Sequence, residues 1–258
     1  MALDRGIIRF QPEGPTEQGL APMVEITPDM LVAVEASELC HNYYTSPSGV
    51  LTAGVWKCMA HTLEFGPYPV DEFMLVLDGS VNIVYRDGHE EIFRAGDAFV
   101  IPKGLPCQWK QTESMHKIYV ILDDPQAPIP DVTVPIADAT AANRTIRLSP
   151  SEGLEELELS NPENFEGGTP TQEDCSAFED ATGRFFAGAW TCSPMRRKAQ
   201  RFGRVELMCL LEGGMTLTDE TGAEHSFAAP DVLLELPDAI STWSSTKHVR
   251  KYYCIFEE

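Results

Sequence analysis

The sequence is short of positive charge, of paired cysteines and of long apolar runs, and each shortage closes off a class of function. Lys and Arg number 19 against 40 Asp and Glu, a formal charge of −21. Such a field repels nucleic-acid backbones and anionic lipid headgroups, so neither nucleic acid nor a membrane surface is an expected partner. No stretch approaches the roughly 18 apolar residues of a membrane-spanning helix. The opening MALDRGIIRFQPEG has no basic region followed by an apolar run, so a cytoplasmic protein is expected. The cysteines, Cys40, Cys58, Cys107, Cys175, Cys192, Cys209 and Cys254, are odd in number and form no CxxC pair, which points to reduced thiols. HExxH, nucleophile-elbow and phosphate-cradling glycine patterns are absent. Helix-period stretches are scarce as well, and only 27–40 and 150–160 have a helical look.

What is present is a repeat. The 258 residues, 43% hydrophobic and 23% charged, suit a globular chain of one or two domains. Sliding the chain by 134 positions aligns 49–124 with 183–258 without a gap, and 19 of the 76 pairs are identical. The identities fall in ordered clusters: AGVWKC with AGAWTC, EFMLVLDG with ELMCLLEG, FRAGD with FAAPD, Trp109 with Trp243, and KIYVI with KYYCI. An ordered series of this kind marks an internal duplication. The early IIRFQPEG resembles TIRLSPSEG from Thr145, so each copy is expected to carry an N-terminal arm. Pro125, Pro128, Pro130 and Pro135 make 125–143 an extended connector. The expected domains are therefore 1–124 and 144–258. Within each copy, runs of period two flank turns such as Arg86-Asp87-Gly88-His89 and Thr221-Gly222, a hairpin pattern. Two all-β antiparallel barrels follow from it.

Glu72 followed after six residues by Gly79, then Gly96-Asp97 and Pro102-Lys103-Gly104, resembles the two cupin motifs. The W-x-C strand, the E-x6-G turn and a Trp eight residues before Lys-x-Tyr narrow the resemblance to cupins of the (S)-ureidoglycine aminohydrolase-like group, including its ethanolamine-utilisation branch. The resemblance implies two tandem cupin barrels of the RmlC-like jelly-roll type. It also implies metal chemistry on a nitrogenous metabolite, and here the residues depart from the pattern. Metal cupins converge imidazoles and a carboxylate on a divalent ion. This chain keeps Glu72 and Glu206 but has Phe65, Gly66, Pro67, Tyr68 and Pro69 upstream of the first, and Gln200 and Phe202 upstream of the second. The second-motif position falls at Cys107 or Gln108 in copy one, and Ser241-Thr242 precede Trp243 in copy two. His61 is off the motif spacing, and His116 alternates to the face opposite Lys117; both read as edge or surface histidines. Cys58 and Cys192 read as packing thiols beside Trp56 and Trp190.

Glu72 with Lys117, and Glu206 with Lys251, recur at one spacing of 45 residues. One reading has each ammonium replace the metal charge beside a buried carboxylate; the other points both lysines outward to surface acids. Tyr68, Glu72, Cys107, Gln108, Lys117, Glu206 and Lys251 are the pocket candidates. Arg201 and Arg204, in the basic stretch MRRKAQRFGR, are candidates for holding an anion, against the alternative that this stretch pairs with the acidic arm of 148–183. Two functions stay open: a metal-free bicupin binding a small polar metabolite, and a hydrolase or lyase with a divalent metal at Glu72. An intramolecular pseudo-dimer of the two barrels is expected from the duplication, with a homodimer of chains also open.

Overall fold

The computed structural model describes residues 6–23, 26–33, 37–127, 144–159 and 161–258. Strands dominate, and the chain divides into two compact units, Gln11–Arg147 with Asp180–Thr182, and Met1–Phe10 with Leu148–Glu179 and Gly183–Glu258. The first unit pairs a seven-stranded sheet with a second sheet. The larger runs in the order Ile146–Arg147, Ala98–Ile101, Asp71–Asp78, Met115–Leu122, Leu51–Cys58, Glu38–Thr45, Ala21–Met23. The smaller follows the order Glu90–Arg94, Ser80–Tyr85, Pro106–Gln111, His61–Leu63, Leu31–Ala33. The second unit repeats the plan. Its large sheet orders Ile7–Phe10, Val232–Glu235, Val205–Glu212, Val249–Phe256, Phe185–Cys192, Gln172–Glu179, Glu155–Glu156. Its four-stranded sheet orders Met195–Arg201, Ile240–Ser245, Gly214–Asp219, Glu224–Ala228.

Strand alternation decides what faces each interior. In Pro106–Gln111 the residues Cys107, Trp109 and Gln111 are buried while their neighbours are half-buried. On Met115–Leu122, Met115, Tyr119 and Ile121 join the first core, so Lys117 shares their face. Val249, Tyr253 and Ile255 do the same for Lys251 in the second. The hairpins sit where Asp-Gly and Thr-Gly mark them, with Gly88 and Gly222 at φ +82 and +86.

Three expectations need correction. The arms are exchanged: Ile7–Phe10 pairs with Val232–Glu235 of the second barrel, and Ile146–Arg147 pairs with Ala98–Ile101 of the first. A sheet edge accepts any strand of matching pattern, and nearness in sequence does not choose the partner. The described residues of 27–40 form no α-helix: they hold the 3-10 turn Pro28–Met30 before the strands Leu31–Ala33 and Glu38–Thr45. The segment 150–160 has Glu155–Glu156 on the edge of a sheet, where pairing with Gln172–Glu179 overrides helix propensity. Of the proline-rich connector, 128–143 lies outside the described residues.

The E-x6-G turn closes each barrel tightly. Gly79 and Gly213 have φ +75 and +73, and a Cβ on either would stand 2.0 Å from the carbonyl oxygen of Ser114 or His248. Gly213→Ala is expected to cost about 2–4 kcal/mol, combining left-handed strain with backbone overlap. Chemical unfolding checks this, and a loss below about 1 kcal/mol would mean that the turn relaxes freely.

Candidate functional site

Each barrel holds one buried lysine–glutamate pair between two tryptophans. In the first, Lys117 Nζ donates to Glu72 Oε1 at 2.7 Å and approaches Met74 Sδ at 3.3 Å. The ammonium stands 4.7 Å from the ring centroids of both Trp56 and Trp109. Tyr68 Oη donates to the other oxygen, Glu72 Oε2. The tryptophans are held in turn, Trp56 Nε1 donating to Glu38 Oε1 at 3.0 Å and Trp109 Nε1 to Gln111 Oε1 at 3.2 Å. Cation–π attraction and a charge-assisted hydrogen bond together offset the desolvation of the ammonium.

The second barrel repeats this arrangement and adds charge. Lys251 Nζ donates to Glu206 Oε1 at 2.5 Å, 4.7 Å from the Trp190 ring and 4.8 Å from that of Trp243. Arg204 Nη2 takes Glu206 Oε2 at 3.0 Å, filling the place that Tyr68 fills in the first barrel. Burial alone would raise the Glu206 carboxyl, but Lys251 and Arg204 beside it hold it below the usual carboxylate range. Trp190 Nε1 donates to Gln172 Oε1 at 3.0 Å, and Tyr253 Oη to Asp174 Oδ2 at 3.2 Å. A fully buried Glu235 accepts Ser241 Oγ at 2.6 Å and Trp243 Nε1 at 2.9 Å. Burial and the nearby Glu206 raise the Glu235 carboxyl. Lys251, Glu206, Arg204, Trp190, Trp243, Gln172, Asp174 and Tyr253 line a cavity of about 480 Å³, whose wall also includes Arg197, Gln200 and Phe202.

The structure brings Tyr68, Glu72 and Lys117 into one cluster, and Glu206, Arg204 and Lys251 into another. Lys117 and Lys251 do not point outward. Cys107 faces the first core, where burial pushes its thiol up to about 12, so it stays a neutral packing group. Burial likewise pushes Cys58 up to about 11 and Cys192 to about 12. Gln108 leaves the candidate pocket: it lies on the other face of its strand and donates to the Leu63 carbonyl at 3.0 Å. Arg201 also leaves it, being exposed and paired with Asp238. Two other basic residues of the strand meet the acidic arm, Arg196 with Glu166 at 3.0 Å and Lys198 Nζ with the Glu163 carbonyl at 2.7 Å. Neither His61 nor His116 is a surface residue. His61 stacks on Trp109 with centroids 6.4 Å apart, and His116 is held by the Pro12 carbonyl at 2.8 Å.

The basic stretch MRRKAQRFGR included Arg197 but singled out Arg201 and Arg204, and nothing in the sequence pointed to Glu235, Asp174 or the tryptophan anchors Glu38 and Gln172. Lys-x-Tyr, shared by both copies, was an available signal for Tyr119 and Tyr253 lining the interior beside the lysines. The donor set does not suit a divalent ion. A lysine ammonium sits against each carboxylate where an ion would bind, and no group of three His, Cys, Asp or Glu able to hold a metal occurs among the described residues.

The EutQ-like cupin domain model matches residues 45–119 and again 179–253. No curated protein matches significantly. Among solved structures, a protein of unknown function from Pseudomonas syringae pv. tomato has a TM-score of 0.77 at 18% identity, covering 97% of this chain and 99% of that one. The cupin 2 conserved barrel domain protein from Leptotrichia buccalis has a TM-score of 0.56 at 8% identity, with 91% and 100% covered. Protein Ylba from E. coli gives 0.52 at 12% identity, with 97% and 91% covered. At such identities the likeness is one of fold, which fixes no function.

Proposed function

The chain belongs to the EutQ-like cupin family, and from that premise we propose that it is a metal-independent bicupin that binds a small polar metabolite in its second barrel. The observation that carries this reading is the cavity of about 480 Å³ with the Lys251–Glu206 pair in its wall. A concave site with aromatic walls and a few convergent polar groups is what a small ligand needs. Gln172, Gln200, Asn161 and Asn164 offer amide donors and acceptors to such a ligand. In this reading the ammonium does the electrostatic work that an ion does elsewhere. It neutralises the carboxylate, and the two tryptophans keep it from moving. The first barrel, in which Ile101 and Cys107 stand 134 positions before Glu235 and Ser241, serves as the less polar structural partner. The hydrolase alternative needs an ion at Glu72, and the Lys117 contact to that carboxylate argues against it.

Two measurements test the proposal. Elemental analysis of protein purified without chelator is expected to find no stoichiometric divalent metal, in native protein or in Glu72→Ala. Metal present in the native protein and lost in the variant would overturn the metal-free reading. A screen of small polar metabolites is expected to find compounds that move the indole N–H signals of Trp190 and Trp243 while leaving those of Trp56 and Trp109 in place. Binders that move only the first-barrel pair would put the site in the wrong barrel.

A further inference from the structure

The second-barrel wall holds one charged group whose hydrogen bonds are incomplete. Arg197 lies opposite Trp243 in the strand register, its guanidinium carbon 4.3 Å from the Trp243 ring centroid. Its Nε and Nη2 are sealed from solvent and have no hydrogen-bond partner. These two nitrogens lie on the same edge of the planar guanidinium, the edge whose parallel N–H bonds match the two oxygens of a carboxylate. A buried donor left unmade carries a desolvation penalty, and here two are left on one fork.

The neighbouring acids are committed elsewhere. Glu206 accepts from Lys251 and Arg204, Glu235 from Ser241 and Trp243, and Asp174 from Tyr253. Burial pushes the Arg197 guanidinium down to about 10, with Glu235 and Glu206 acting against that fall, and this leaves it a cation at neutral pH. Arg197 also lines the cavity, so a turn about its terminal torsions would bring the fork to face it.

We propose that the second-barrel pocket takes a small organic monocarboxylate, anchored by the Arg197 fork, with Arg204 as the second cation and the Phe202 and Trp243 rings against the ligand's apolar body. This rests on the binding function proposed above and names the class of ligand. A single planar fork suits a planar carboxylate better than a tetrahedral phosphate. The two acids in the wall, Asp174 and Glu206, and Glu235 behind it further disfavour a dianion.

The test uses the full chain and its four indole N–H signals, two per barrel. Acetate and benzoate are titrated against acetamide and benzamide, which keep shape and lose charge, and inorganic phosphate is added as a third arm. The carboxylates are expected to move Trp190 and Trp243 saturably, with affinities roughly tenfold to a hundredfold above the matched amides. Arg197→Gln is expected to erase that preference, and Arg197→Lys not to restore it, because an ammonium keeps the charge without the fork. First-barrel signals in their native positions show that a variant is folded. If a variant does not fold, the carboxylate-to-amide ratio in native protein decides alone. Amides binding as well as carboxylates, phosphate binding in their place, or Arg197→Gln keeping the preference would each overturn the carboxylate assignment and leave a second-barrel binding site standing. If carboxylates, amides, phosphate and the wider metabolite screen all leave Trp190 and Trp243 unmoved, the binding function falls as well.

Discussion

Lys117→Met is expected to destabilise the first barrel by about 3–5 kcal/mol, because it strips the counter-charge from a carboxylate that cannot reach water. Glu72 and Lys117 are both buried, and without Nζ the only other side-chain donor described on Glu72 is the Tyr68 hydroxyl. Methionine replaces the stem and leaves no large cavity, so the loss reports charge and not volume. The partner substitution separates the two. Glu72→Met placed on Lys117→Met removes the orphaned carboxylate and is expected to recover most of the loss, since a buried pair replaced by apolar groups of similar size is often near neutral. Against a total stability of about 5–15 kcal/mol for a typical domain, the single variant is readily measured by urea unfolding. The two units require a fit that allows two transitions. A double variant no better than the single one would mean that Lys117 matters through its cation–π packing on Trp56 and Trp109 and not through Glu72.

That pairing was one of two readings the sequence left open, and it was within sight for a physical reason. Duplication preserved both residues at one spacing, and strand alternation sets Lys117 facing the core; the register places Lys117 opposite Val76 and Glu72 opposite Ile121, so the two long side chains close the remaining gap along the strands. The period of two, the hairpin glycines and the tandem barrels were legible on the same grounds. Arg197 was not. Met195–Arg201 carries a register shift between Arg197 and Gln200, where Arg197 opposes Trp243 and Gln200 opposes Ser241. A bulge resets which side chains turn inward, and nothing in the residue types announces it. Spacing alone also left Cys107 and Gln108 undecided, because one residue of register exchanges the faces of a strand. The exchanged arms lay further out of reach. Ile7 and Phe10 are apolar enough for either barrel, and the choice belongs to the tertiary fold.

Glu206→Gln is expected to be as costly as Lys117→Met and to extend the rise of stability with pH further below the lysine reference value. In native protein Lys251 and Arg204 both rely on Glu206, and burial pushes the Lys251 ammonium below its usual value even with that carboxylate in contact. Glutamine keeps the shape and removes the charge, so the ammonium is left fully buried with only a neutral acceptor and its pKa falls further. The loss near neutral pH is expected to be about 3–5 kcal/mol. In the unfolded chain this lysine titrates near its reference value of about 10.4, so between the depressed folded value and that reference the unfolded state binds more protons than the folded one. Stability of Glu206→Gln therefore rises with pH across that window, as the buried lysine is folded neutral. In the native protein the carboxylate of this site adds a dependence of the same sign in the acid range, far below the lysine window. Its Glu206 is held below the usual range, a stabilisation present above the unfolded carboxylate value of about 4.3 and lost as pH falls through the folded one. Urea midpoints of native and variant protein compared from pH 6 to pH 9, a range of roughly 3 units below the lysine reference value, give the test. A constant gap would mean that Lys251 escapes to solvent once Glu206 is gone, and a closing gap that the ammonium is locked in place by the tryptophans on either side.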